Sequence, residues 1–212
     1  MRHLIIIFFL LANVLHSQSG ITIHFELQTN ITRDMLKGMP ESLKDDMIKD
    51  VREAKKESMM SIQGAYVYCE TIAKTISKEV DLSTQKGASN NGKKVIDSSF
   101  DVNYKGKKLI KNYTSNTYSE RENGKIITHK LPKATWVYTN RKKKIIGFNC
   151  FEATTTFNNH KLTVYYTKEI SYNASPNKLP FIDGVILEYK YSFFTGKAIK
   201  IKRQQPLITN FI

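Results

Sequence analysis

From Ala65 to Arg203 the chain is a succession of short apolar or alternating segments, most of them parted by no more than a turn. Ala65–Ile72, Phe100–Tyr104, Leu109–Tyr118, Lys125–Lys130 and Thr135–Thr139 read as strands. Lys144–Phe157, Lys161–Ile170, Gly184–Phe194 and Lys197–Arg203 continue the series. Asn123-Gly124 between alternating segments is a strong hairpin signal, and Asn158-Asn159 and Thr195-Gly196 mark two further turns. Lys86–Lys94 and Ser171–Lys178, rich in polar residues, read as loops. Strands with such short connections pair antiparallel. Upstream, GITIHFELQT sets Ile21, Ile23, Phe25 and Leu27 against Thr22, His24, Glu26 and Gln28, the pattern of a half-buried strand. Between Met35 and about Met60 the period changes. Leu43, Met47, Val51 and Ala54 recur at helical spacing, Pro40 suits a first turn, and Ser42 with Asp45 resembles a capping box. Asp45 with Lys49 suits an exposed helical face. The expected fold is mainly β with one helix: an antiparallel meander, as a curved sheet or partly open barrel, packed against an amphipathic helix. Residues 20–212 are expected to form one domain.

The first residues bear on compartment. Arg2, then the apolar run Leu4–Leu15, then Ser17, Ser19 and Gly20, have the layout of a signal peptide over 1–19. The run is too short to cross a bilayer as a helix, and no second one follows, so no transmembrane segment is expected after cleavage. Cys69 and Cys150 are the two cysteines. Cys150, in the strand-like GFNCFEATTTF, could be a nucleophile, a metal ligand, half of a disulfide or a small buried side chain. Export into an oxidising compartment favours a Cys69–Cys150 disulfide, with two buried free thiols as the alternative.

The formal net charge is +14. Basic clusters lie at Lys105–Lys111, with Lys107 and Lys108, at Arg141, Lys142, Lys143 and Lys144, and at Lys197–Arg203. They form a candidate patch for an anionic membrane surface or polysaccharide, and export disfavours nucleic acid. The simpler reading is solvated turns and strand edges, where lysine blocks edge-to-edge pairing. Chemistry is sparse. His24, His129 and His160 stand apart from any metal-ligand spacing, and no nucleophile elbow or phosphate loop is present. Cys150 with His160, and Glu152 with Glu169, are the candidate catalytic pairs, each weak. Met35, Met39, Met47, Met59 and Met60 suit helix packing better than copper ligation. No cofactor, metal or catalytic residue is expected.

Trp136, followed by Lys144-Ile145-Ile146-Gly147-Phe148-Asn149-Cys150-Phe151-Glu152-Ala153, resembles the GLPGLI family of exported Bacteroidetes proteins. Tyr166-Thr167-Lys168-Glu169-Ile170 resembles its next block, with Tyr165 where tryptophan is usual. Gly184-Val185-Ile186-Leu187 falls where the name-giving motif lies, Asp183 replacing the proline and Val185 the leucine. The resemblance implies an exported antiparallel β protein of a Gram-negative bacterium, in the periplasm or at the cell surface, that is not an established enzyme. It implies structural roles for Trp136, Gly147, Phe148, Cys150, Ala153, Tyr166, Thr167, Ile170, Gly184, Ile186 and Leu187. Two functions remain open: a binding or interaction module for an envelope protein, glycan or lipid, or a carrier holding a lipid or lipoprotein in a sheet-lined cavity.

Overall fold

The computed structural model describes residues 20–53, 56–72, 74–80, 98–104 and 106–204. The expected signal segment, the Lys86–Lys94 loop and Lys105 lie outside the described residues. Strand β1 (Gly20–Thr29) leads through a 3-10 turn (Arg33–Leu36) to helix α1 (Glu41–Glu53). Then come β2 (Lys56–Gln63), β3 (Tyr66–Thr71), β4 (Lys74–Val80), β5 (Ser98–Tyr104), β6 (Lys107–Asn112), β7 (Thr117–Glu122) and β8 (Lys125–Lys130). The second half is β9 (Val137–Ile145), β10 (Phe148–Phe157), β11 (His160–Thr167), β12 (Val185–Tyr191) and β13 (Phe194–Gln204).

Eleven strands form one open, curved sheet in the order β8-β7-β6-β3-β2-β1-β13-β12-β11-β10-β9, and β4 and β5 pair separately as a ribbon. Every strand pairing is antiparallel. The sheet is two meanders zipped together where β1 meets β13, so the first and last described strands pair at its middle. Residues directly opposite one another share a face. Ile23 and Met60, Cys69 and Leu109 thereby fall on the inner face of one half. Val164 with Tyr189, and Ala198 opposite Phe25, continue that face in the other half. All of these side chains are buried in one core. The segment between β11 and β12 crosses this face. Its Ala174 bridges β12 through Ala174 N–H to Gly184 O and Ile186 N–H to Ala174 O, both 3.0 Å.

The antiparallel, one-helix reading holds, and several local expectations are corrected. α1 begins at Glu41, directly after Pro40, so Ser42 lies inside the helix and caps nothing. Asp45 binds Arg33, which also reaches Glu41. The helix buries none of its residues and touches the sheet at β1, where Gln28 Nε2 donates to Arg52 O. Met59 and Met60 are not helical. They lie in β2, whose alternation buries Met60 and Ser58 and whose helix-forming residues hid it. Asn140–Lys143 belong to β9, and Ile146-Gly147 makes a two-residue hairpin turn with both φ angles positive. The turn expected at Thr195-Gly196 falls instead at Ser192-Phe193. Gly196 lies within β13 because a Cβ there would come within 2.4 Å of the Tyr189 ring.

Gly184 serves close approach. Its φ is +137°, and an added Cβ would lie 2.7 Å from Thr167 O and 2.8 Å from the Tyr166 ring. Gly124, at φ +81° in the β7–β8 turn, has open space around it. Gly184→Ala should therefore lose about 2–4 kcal/mol, combining backbone strain with overpacking. Gly124→Ala should lose about 1 kcal/mol, from strain alone. Urea melts of the two variants check the difference.

Candidate functional site

The end of the sheet where β1, β3, β10 and β12 finish and β2, β6 and β13 begin opens into a cleft of about 720 Å³. That is the usual size of a small-ligand pocket. Its floor is Leu109, Leu179 and the buried Tyr189. Tyr118 and Glu120 on β7, with Lys130 closing β8, make one wall. Phe157 and Asn158, Tyr191 and Phe194, at the ends of β10 and β12 and the start of β13, make the other. Aromatic residues collect here because alternation brings an inward-facing position to each strand end, and a wide ring there covers the exposed edge of the core. Phe157 and Tyr191 meet at 5.6 Å between centroids, and His160 sets its ring edge-on to Tyr191 at the rim. Tyr118 stacks on His129 at 4.9 Å.

Polar groups punctuate these rings. Asn177 donates from Nδ2 to the Tyr189 hydroxyl at 3.2 Å, and burial drives the Tyr189 pKa up. Lys178 lies against Glu120, which is 9 % exposed, and its ammonium stands 5.5 Å over the Tyr118 ring. Burial works against that ammonium, but the Glu120 contact outweighs it and raises the pKa. Glu120, Glu122 and His129 place one ligand atom each within 4.8 Å of one another across the β7–β8 hairpin, so His129 is not isolated as its sequence context suggests. A cation there would have to displace Lys178 from Glu120.

Lys111 anchors the cleft floor from behind. It belongs to the basic cluster read from the sequence as surface, yet it is wholly buried. Its Nζ donates to Ser175 O at 2.8 Å, Ser175 Oγ at 2.9 Å and Leu179 O at 3.1 Å. Burial pulls its pKa down to about 8, against a weaker opposing effect of Cys69. Its parity with Leu109 on β6 is the sequence signal that it points inward.

The Cys69–Cys150 disulfide is not formed: both thiols are free and buried. Cys69 faces inward, where its Sγ accepts the Asn177 N–H at 3.3 Å. Cys150 lies opposite Lys143 and shares the outer face with Glu152. The two therefore sit on opposite faces of one sheet, six places apart in strand order, and a disulfide cannot span that. Burial pushes the Cys150 pKa up to about 11 and raises that of Cys69. Cys150 and His160 fall at opposite ends of the β10–β11 pairing and do not meet. Nor do Glu152 and Glu169. Glu152 accepts from Tyr165 OH at 2.7 Å and Thr139 Oγ1 at 3.1 Å, contacts that lower its pKa, with Tyr165 the larger cause. Glu169 accepts from Asn149 Nδ2 at 2.6 Å. His24 sits opposite Lys200, and burial with the Lys202 charge lowers its pKa.

Of the remaining motif positions, Ala153, Tyr166, Thr167, Ile186 and Leu187 are buried, and Phe148 and Ile170 pack on the core. Trp136 Nε1 donates to Phe181 O at 2.7 Å. Two of the three basic clusters lie far apart: Lys107 and Lys108 are on β6, and Arg141–Lys144 on edge strand β9, eight places away in strand order. Arg141 and Lys143 pair with Glu152 and Glu188, and Lys142 lies over the Phe151 ring. No helix among the described residues is long and apolar enough to cross a membrane.

Residues 68–210 match the family model described as "N-glycanase peptide, N-terminal domain". No curated protein sequence matches the chain. Among solved structures, PNGF-II in a C2 crystal form superposes with a TM-score of 0.55 at 15% identity, over 90% of this chain and 28% of that one. PNGF-II in a P21 form gives 0.55 at 13% identity, over 91% and 30%. The chain thus spans less than a third of the proteins whose fold it shares.

Two predictions follow from the buried groups. Native protein should yield no reactive thiol, and denatured protein two, with or without prior reductant, by absorbance thiol titration. Lys111→Met should destabilise by about 1–3 kcal/mol near neutral pH, taking the ammonium from the Ser175 carbonyl and leaving Leu179 O only its bond from Ser175 Oγ. Because Lys111 titrates lower in the folded than in the unfolded chain, wild type should gain stability relative to this variant as pH rises from about 8 to 10.5. Chemical denaturation across that range reads the trend.

Proposed function

We propose that this chain, which belongs to the family of N-glycanase peptide N-terminal domains, is an exported, non-enzymatic binding module that holds a glycan in its aromatic cleft. The observation that carries the reading is the cleft's composition. Rings at Tyr118, Phe157, Tyr191 and Phe194 offer apolar faces for the flat faces of sugar rings, while Asn158, Asn177, Glu120 and Lys178 offer donors and acceptors for hydroxyls. The family description and the fold shared with PNGF-II support a glycan as ligand. Binding rather than catalysis is supported by Glu152, Glu169 and Cys150, each held in place by neighbouring groups away from the cleft. The apolar run Leu4–Leu15 and the likeness of Trp136–Tyr191 to the GLPGLI family support export to the periplasm or surface of a Gram-negative bacterium.

A second reading, a lipid carrier, draws on the apolar floor of Leu27, Leu109 and Leu179. An oligosaccharide array probed with the mature chain separates the two. The expected result is saturable glycan binding, weakened about tenfold by Tyr191→Ala, since an aromatic anchor contributes on the order of 1–2 kcal/mol. An empty array, with an acyl lipid retained on the purified chain in native mass spectrometry, would overturn the glycan reading in favour of the carrier.

A further inference from the structure

Resting on the glycan reading, we infer that the cleft selects carboxylate-bearing oligosaccharides over neutral ones. Lys56, Lys107, Lys130 and Lys178 line it against the single carboxylate of Glu120. Glu120 is matched by Lys178, with His129 Nε2 a further 3.8 Å contact. The charges of Lys107 and Lys130 therefore stand in excess at the mouth and wall. Lys107 begins β6 and Lys130 ends β8, both exposed, and neither meets a carboxylate among the described residues.

Their setting distinguishes them from the lysines elsewhere on this basic chain. On β9, Arg141 and Lys143 are paired with acids and Lys142 lies on an aromatic ring. At the cleft the positive charges border a concave, ring-lined space, where low-dielectric walls concentrate the field on whatever enters. A neutral sugar would draw only on the rings and the hydrogen-bonding groups. A uronic acid unit stacked on Tyr118 or Tyr191 would carry its carboxylate to the lysine rim and gain a charge-assisted hydrogen bond. Glu120 is no obstacle, since Lys178 already neutralises it.

The probe is a galacturonic acid oligomer compared with its fully methyl-esterified counterpart, which keeps the sugar skeleton and removes the charge. Calorimetry with the mature chain should show the acid form binding about tenfold tighter at low ionic strength, the advantage shrinking in high salt. The double variant K107E/K130E should abolish the advantage, and K142E/K144E, on β9 outside the cleft, should leave it intact. Equal affinity for the two oligomers would overturn the charge selection while leaving the glycan reading standing. Retention of the preference in K107E/K130E would place it elsewhere on the basic surface and also overturn the inference. If neither oligomer binds but neutral glycans do on the array, charge selection alone falls; if no glycan binds anywhere, both fall.

Discussion

A lysine ammonium with no exposure to water holds this molecule together across its concave face. Lys111 comes from the first meander, and its three acceptors come from Ser175 and Leu179, in the segment between β11 and β12 of the second. Burying a charge is costly, and the cost is tolerable only because three oxygens converge on one nitrogen. The same three bonds fix the segment's path. Ser175 is buried and donates a further bond, from its N–H to the Tyr113 hydroxyl at 3.1 Å, so its backbone is satisfied without joining a strand. Without the clamp, the Ser175 carbonyl would lose the ammonium, and Leu179 O would keep only its bond from Ser175 Oγ at 2.8 Å.

The clamp also decides what the concave face can do. With Ser175 and Leu179 pinned, Asn177 is presented between Cys69 and Tyr189, and Lys178 reaches Glu120 on β7. One segment thus fills the middle of the curved sheet and furnishes part of the cleft at one end. On the opposite side of the plug, a second cavity of about 470 Å³ lies beside the Gly64-Ala65 turn, lined by Tyr113, Phe181 and Gly184. Its polar and apolar surfaces are evenly matched, whereas the cleft at the other end is mostly apolar. The asymmetry follows from where the aromatic strand ends lie.

Local rules made much of the fold legible. Asn123-Gly124 and Asn158-Asn159 both turn where the sequence says, since asparagine and glycine reach positive φ at little cost. Ile146-Gly147 hid a turn, because a β-branched residue at φ +43° is rare and reads as strand. β2 hid behind Lys, Glu and Met, helix formers whose alternation is carried by serine as much as by apolar side chains. The β1–β13 pairing was beyond reach, since nothing local records which distant strand fills an open edge. Lys111 and the Cys69–Cys150 separation failed for one shared reason. Each depends on which face of the sheet a position occupies once the whole sheet has formed, and lysine and cysteine carry average expectations that this face overrides.

The cleft was illegible for a related reason, and the reason bears on what it is for. Tyr118, Phe157, Tyr191 and Phe194 each look like ordinary strand-end aromatics, scattered over four strands. Only the pairing that sets β13 beside β1 brings the two halves round to face one another. Packing alone would favour filling such a gap with aliphatic bulk, as the core between Ile23, Val164 and Leu187 does. Keeping rings half-exposed around an ion pair, with lysines at the mouth, gives up apolar burial that a closed end would have gained. That open space, ringed by half-exposed aromatic residues while the interior is clamped by a buried charge, is the feature on which the proposed binding role rests.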